Sequence, residues 1–181
     1  MGLRLVAGTA SESLAKAIAG RLGVTLPPSA IERFPDGELR PAVDDVCGDD
    51  VYVAQATGPP VNDHLVELLL LLDAARRAHA GRVTAVIPYL GYARQDRRTR
   101  PGHAVAARVV ADAVATAGAD RVVLVDPHTT ALEATFPIPV ETLTAVPVLA
   151  NVLAPLLRTD SVLVAPDLGG VKLAEAYAAI L

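Results

Sequence analysis

A single cysteine, Cys47, stands in 181 residues, so the chain can form no internal disulfide, which fits a reducing compartment. No zinc-ligand spacing is present either. Aromatic residues make up only 3% and phenylalanine occurs twice, so the interior has to be built from aliphatic side chains. Cations are not in surplus. The formal net charge is −4, which argues against the broad basic face that nucleic-acid binding needs. Long apolar runs are missing as well. Leu65–Leu72 is interrupted by Glu67 and followed by Asp73, Arg76 and Arg77, which leaves it too short to span a bilayer. The first six residues carry no apolar core of signal-peptide length. We therefore expect a cytoplasmic protein that binds neither nucleic acid nor membrane.

Apolar residues reach 52% against 20% charged, the balance of a globular protein with the length of one domain, or of one domain and part of another. The most informative stretch follows the apolar run Val83–Ile87, which reads as a buried strand. Residues 88–100 place Arg94, Arg97, Arg98 and Arg100 in one loop, together with Gln95 and Asp96. Guanidinium groups present planar forks of donors suited to phosphate oxygens, and Gln95 and Asp96 can bond a base or sugar edge. A solvated arginine-rich surface is the competing reading.

Taken in order, the chain opens with a strand at Leu3–Ala7. The turn Gly8-Thr9-Ala10-Ser11 follows, then a helix with Ser11 as N-cap, Leu14, Ile18 and Leu22 on its inner face, and Gly23 as its stop. That turn is rich in donors and suits a phosphate. Residues 31–40 form two extended pieces across Pro35-Asp36-Gly37, the pattern of a hairpin projecting from the sheet. Phe34, beside Asp36 and Glu38, either stacks on a ring whose edge the acids contact or packs beneath the hairpin. A strand at Val51–Ala54 leads to a helix opening near Asn62-Asp63, with Leu65, Leu68, Leu69 and Leu72 inward and Gly81 closing it. After the arginine loop we expect a helix over 103–117, with Val105, Val109 and Val114 as its inner stripe and Gly118 as its stop.

The next strand, Arg121–Val125, ends in Asp126-Pro127-His128. Open α/β sheets bind ligands at the carboxyl ends of their strands. His128 is accordingly a candidate metal or phosphate ligand, with a buried capping histidine as the alternative. An extended piece at 136–140 and a helix over 146–157 follow. Arg158-Thr159-Asp160 marks a domain boundary, beyond which come a strand at 161–165, a turn at 166–170 and the start of a helix at 171–181.

Strands alternating with helices imply an α/β fold with a parallel sheet covered on both faces. Several stretches, in this order, resemble the ribose-phosphate diphosphokinase family, also called phosphoribosyl pyrophosphate synthetases. They are Arg33–Glu38, Val61–Leu69, Tyr92–Arg98, Thr116–Val122, Asp126-Pro127-His128 and Pro166–Gly170. The resemblance implies a type I phosphoribosyltransferase-like domain over 1–158 and the incomplete start of a second one over 159–181. It implies transfer of the diphosphoryl group of ATP to ribose 5-phosphate with magnesium, and a homo-oligomer whose hairpin reaches a neighbouring subunit's site. Carried over residue by residue, Phe34 stacks on adenine while Asp36 and Glu38 contact its edge or the ribose. Arg94 and Gln95 line the ATP pocket, Asp96 orients the arginines, His128 acts in catalysis, and His128 and Asp167 serve magnesium.

The family's acidic acceptor loop, two aspartates followed by Asp-Thr-Gly-Gly-Thr, does not occur in these residues. The isolated chain is therefore expected to be inactive. A non-catalytic nucleotide-binding or regulatory subunit of a synthetase assembly is the alternative.

Overall fold

The computed structural model describes residues 2–28, 30–158 and 160–181. Two compact bodies divide them at Leu143/Thr144. In the first, chain order gives β1 (Leu3–Ala7), α1 (Glu12–Leu22), β2 (Ala30–Arg33), β3 (Leu39–Ala42), β4 (Asp50–Ala54) and α2 (Val61–Arg77). Then follow β5 (Arg82–Ile87), α3 (Ala106–Thr116), β6 (Arg121–Val125) and β7 (Val140–Leu143). Strands β1, β4, β5, β6 and β7 form one parallel sheet in that spatial order. The expected α/β architecture, a parallel sheet flanked by helices with a separate hairpin, is the one observed.

The alternation of a strand explains both layers. Val51, Val53, Val83, Ala85, Ile87, Val122 and Leu124 pack with Leu68, Leu71 and Leu72 of α2 and Val110 and Val114 of α3. Leu5, Ala7 and Ala54 pack with Ala15 and Ala19 of α1. This second contact corrects the sequence reading, because Leu14 and Leu22 are exposed and the small alanines bring α1 close to the sheet. The inner stripe of α3 shifts likewise. Val109 is exposed, whereas Ala107, Val110, Ala111 and Val114 are buried, because steps of four and then five residues, as in 105, 109 and 114, do not stay on one helical face.

Two helix ends also differ from expectation. Ser11 stands at the N-cap position of α1 as expected, but its side chain makes no cap bond; its buried hydroxyl accepts the N–H of Ala56 at 2.8 Å. Helix α2 stops before Gly81, and the left-handed residue that reverses the chain is His79, with φ of 60°. Gly81 serves a close approach instead, since a Cβ there would lie 2.8 Å from the carbonyl oxygen of Gly48. Gly23 closes α1 as expected, with φ of 66°.

Strands β2 and β3 pair antiparallel. The base of this hairpin rests on the core through Ile31 and Val43, and Arg33 lies 3.8 Å from Asp63 of α2. Its tip, residues 35–38, is exposed.

The second body contains α4 (Val146–Leu153), a short 3-10 turn at Ala154–Leu156, another at Leu168–Gly170, and α5 (Val171–Ala178). The strand expected at 161–165 pairs with no strand among the described residues, and Val162 and Val164 are exposed. A parallel strand needs a neighbour to complete its hydrogen bonds. Thr159, inside the expected boundary, lies outside the described residues. No helix among the described residues is long and apolar enough to cross a membrane.

At the start of the sheet, a hydrogen bond from Arg82 to Asp50 holds the carboxyl of Asp50 below the usual carboxylate range. Because the folded value is lowered, the stabilisation is present above the unfolded value of about 4 and disappears as pH falls through the folded one. Asp50→Asn is thus expected to cost about 1 kcal/mol or less at neutral pH, the pair being partly exposed. Thermal unfolding of variant and wild type should converge as pH is lowered below about 4.

Candidate functional site

A parallel sheet opens all its strand carboxyl ends along one edge, the usual location of ligands in such folds. Along this edge β4 continues into residues 55–58, β5 into the arginine loop and β6 into residues 126–128. Between the last two lies an open cleft of about 630 Å³, lined by Val61, residues 89–95 and residues 125–128. That volume suits a nucleotide-sized ligand. A tighter cavity of about 90 Å³ beneath the hairpin, lined in part by Pro27, Pro28, Ile31 and Val43, is too small for one.

The cleft wall is held by backbone ties. Thr57, almost fully buried, donates its N–H to the Tyr89 carbonyl at 2.8 Å. Its hydroxyl donates to the same carbonyl at 3.0 Å and accepts the Gly91 N–H at 2.7 Å. Gly91 has no room for a side chain, because a Cβ would lie 2.7 Å from both the Thr57 carbonyl oxygen and Val61 Cγ1. Tyr92 then takes a left-handed conformation with φ of 64°, and its hydroxyl donates to Asn62 at the start of α2. Gln95 donates its N–H to the Tyr92 carbonyl at 2.9 Å and accepts that of Ala107 at 3.2 Å. Across the cleft, Asp126 is also left-handed, with φ of 41°. Such backbone, rare outside glycine, concentrates at functional sites.

Three of the expected residues come together here: Arg94, Gln95 and His128 all line the cleft. Arg94 is exposed, and among the described residues its side chain has a single long tie, 3.4 Å to the Tyr89 hydroxyl. Among the described residues it takes part in none of the ion pairs. A guanidinium in a cleft without a carboxylate partner is available to an anion. His128 is exposed, which removes the buried-capping alternative.

Asp96, Phe34, Asp36 and Glu38 are not among the residues that line the cleft. Asp96 faces Arg97 at 4.0 Å. Phe34 is half-buried, with the Arg40 guanidinium 5.2 Å from its ring centre. Asp36 accepts the Glu38 N–H at 3.1 Å, tightening the hairpin turn, and Glu38 is exposed. None of these three lines the cleft of its own chain. Asp167 belongs to the second body, where it accepts the Gly170 N–H at 3.0 Å.

The turn Gly8-Thr9-Ala10, expected to suit a phosphate, is already satisfied. Glu67 and Gln55 take the N–H groups of Thr9 and Ala10. Sequence reasoning gave no role to Tyr89, Tyr92 or Asp126, although all three line the cleft. Asp126 was visible beside His128, whereas the placement of the tyrosines depends on the left-handed turn and leaves no sequence signal.

Among the described residues no three His, Cys, Asp or Glu side chains gather as a metal site. The donor chemistry still fits magnesium, which keeps several waters and binds substrate phosphates with one or two protein ligands. His128 and Asp126 at the cleft are a set of that sparse kind.

Residues 3–118 match the family model for the N-terminal domain of ribose phosphate pyrophosphokinase. The ribose-phosphate pyrophosphokinase of Clostridium tetani is 45% identical over 97% of this chain and 56% of its own length. That of Maricaulis maris is 46% identical over 99% of this chain and 58% of its own. A crystal structure of phosphoribosylpyrophosphate synthetase from Mycobacterium smegmatis superimposes with a TM-score of 0.90 at 38% identity. It is matched over 99% of this chain and 61% of that one. The chain thus spans somewhat more than half the length of the relatives it matches. Family model, relatives and fold agree, and the chain belongs to the ribose-phosphate pyrophosphokinase family.

Proposed function

We propose that this chain supplies the ATP-binding side of a ribose-phosphate pyrophosphokinase, which transfers the β,γ-diphosphoryl group of ATP to the 1-hydroxyl of ribose 5-phosphate and releases AMP. The observation that carries this reading is the gathering of Arg94, Gln95 and His128 in one nucleotide-sized cleft at the carboxyl edge of a parallel sheet. Displacement at phosphorus asks the protein for charge neutralisation and alignment more than for covalent chemistry. Arg94 binds the triphosphate, and Gln95 hydrogen-bonds the nucleotide beside it. His128 would hold magnesium, directly or through its waters. Magnesium, when bound, offsets the charge of the phosphates. Asp167, in the second body, is proposed as a magnesium ligand on its sequence motif.

Asp36 and Glu38 stand on an exposed hairpin tip beside the half-buried Phe34, and none of the three lines the cleft of its own chain, which supports a homo-oligomer in which the hairpin serves a neighbouring subunit's adenine. Asp96 orients the arginine loop through Arg97. Residues 1–158 form the ATP-side domain and 159–181 begin a second phosphoribosyltransferase-like domain, in a cytoplasmic enzyme. The test is calorimetric titration of the folded chain with ATP and magnesium and, separately, with ribose 5-phosphate. ATP is expected to bind and ribose 5-phosphate is not.

A further inference from the structure

We propose that Glu67 is an internal anion: from within α2 it fills a cradle of donors at the β1–α1 turn that would otherwise hold a small carboxylate or oxyanion. Its side chain is only 1% exposed. One carboxylate oxygen accepts the Thr9 N–H at 2.6 Å and the Gln55 amide at 3.0 Å. The other oxygen meets the Thr9 hydroxyl at 2.8 Å. Gln55, fully buried, turns its own oxygen to the Ala10 N–H at 3.1 Å.

Each of the three groups hydrogen-bonded to the carboxylate donates to it, which matches an acceptor-only ligand. Among the described residues Glu67 takes part in none of the ion pairs. A buried carboxylate without a cation is tolerated only when such hydrogen bonds replace its water. Gly8 completes the fit, because a Cβ there would collide with the Gln55 amide and lie 2.9 Å from the Glu67 carboxylate.

Two consequences follow. The turn is closed to substrate phosphates, so anion binding at this sheet edge falls to the arginine loop. Removing the carboxylate while leaving its donors converts the cradle into a site for formate or phosphate. The second consequence does not depend on the nucleotide reading, since no residue of the cradle lines the cleft.

The test is thermal unfolding of wild type, Glu67→Ala and Glu67→Gln in chloride, formate and phosphate at matched ionic strength. Glu67→Ala is expected to melt about 10 °C lower in chloride, having left buried donors without their acceptor, whereas Glu67→Gln, whose amide oxygen still accepts two of them, should lose less. Formate should raise the melting temperature of Glu67→Ala by several degrees more than that of wild type. It should not do so for Glu67→Gln, whose amide occupies the space. If Glu67→Ala is unfolded in chloride, formate is expected to refold it. A Glu67→Ala chain that melts like wild type in chloride, gains no more from formate than wild type, or stays unfolded in formate overturns the proposal.

Discussion

Arg94→Ala is expected to weaken binding of ATP with magnesium by roughly 10- to 100-fold while leaving the melting temperature unchanged. The side chain is exposed and, among the described residues, tied only by its 3.4 Å contact to Tyr89, so its loss should alter stability by about 0.5 kcal/mol or less. Its guanidinium points its value elsewhere: a hydrogen bond to a charged group contributes about 1.5–3 kcal/mol, which is that range of affinity. Arg94→Lys should fall between, keeping the charge but losing the planar fork. Calorimetry beside a melting curve separates the two effects. Unchanged affinity in the alanine variant would assign Arg94 to the solvated surface that the sequence left as an alternative.

Gly91→Val is expected to lower both stability and nucleotide affinity. The backbone at Gly91 runs against the Thr57 carbonyl and Val61, with 2.7 Å left for a Cβ at each. Neither neighbour moves freely, since one is backbone and the other opens α2. Overpacking of this kind costs about 1–3 kcal/mol, or a fall in melting temperature of roughly 2–12 °C for a chain of this size. The displaced segment leads straight into Tyr92 and Arg94, so binding should weaken although no contacting side chain has changed. Gly20 offers the contrast, because it lies exposed in α1 with nothing within 4 Å of an added Cβ. Gly20→Ala should stabilise by about 0.5–1 kcal/mol and leave affinity alone. Melting curves and titrations of the two variants decide whether the tie at Gly91 positions the loop.

The elements of the sheet were legible because each strand is a short aliphatic run and each helix is bounded by turn residues. What failed was the detail set by packing between elements. Ala15 and Ala19 face the sheet in place of Leu14 and Leu22 because close approach of α1 favours small side chains. Glu67 reads in sequence as an interruption of an apolar run, yet it is among the most buried side chains, since donors 12 and 58 residues away converge on it. No local pattern announces that convergence.

The site divides in the same way. Arg94, Gln95 and His128 were legible because polar residues at the ends of buried strands have one edge of the sheet to occupy. The tie from Thr57 to Gly91, 34 residues apart, follows from β4 lying beside β5, and the left-handed turn at Tyr92 from the bonds that hold it. The strand expected at 161–165 shows the opposite failure, where local pattern promised a strand and no neighbour completes it among the described residues.

The most direct measurement is a pair of calorimetric titrations on the folded 181-residue chain, one with ATP and magnesium and one with ribose 5-phosphate and magnesium. The account predicts saturable ATP binding that Arg94→Ala weakens, and no ribose 5-phosphate binding, because the family's acceptor loop does not occur in these residues. Saturable ribose 5-phosphate binding with no binding of ATP would contradict the assignment of this cleft to the nucleotide.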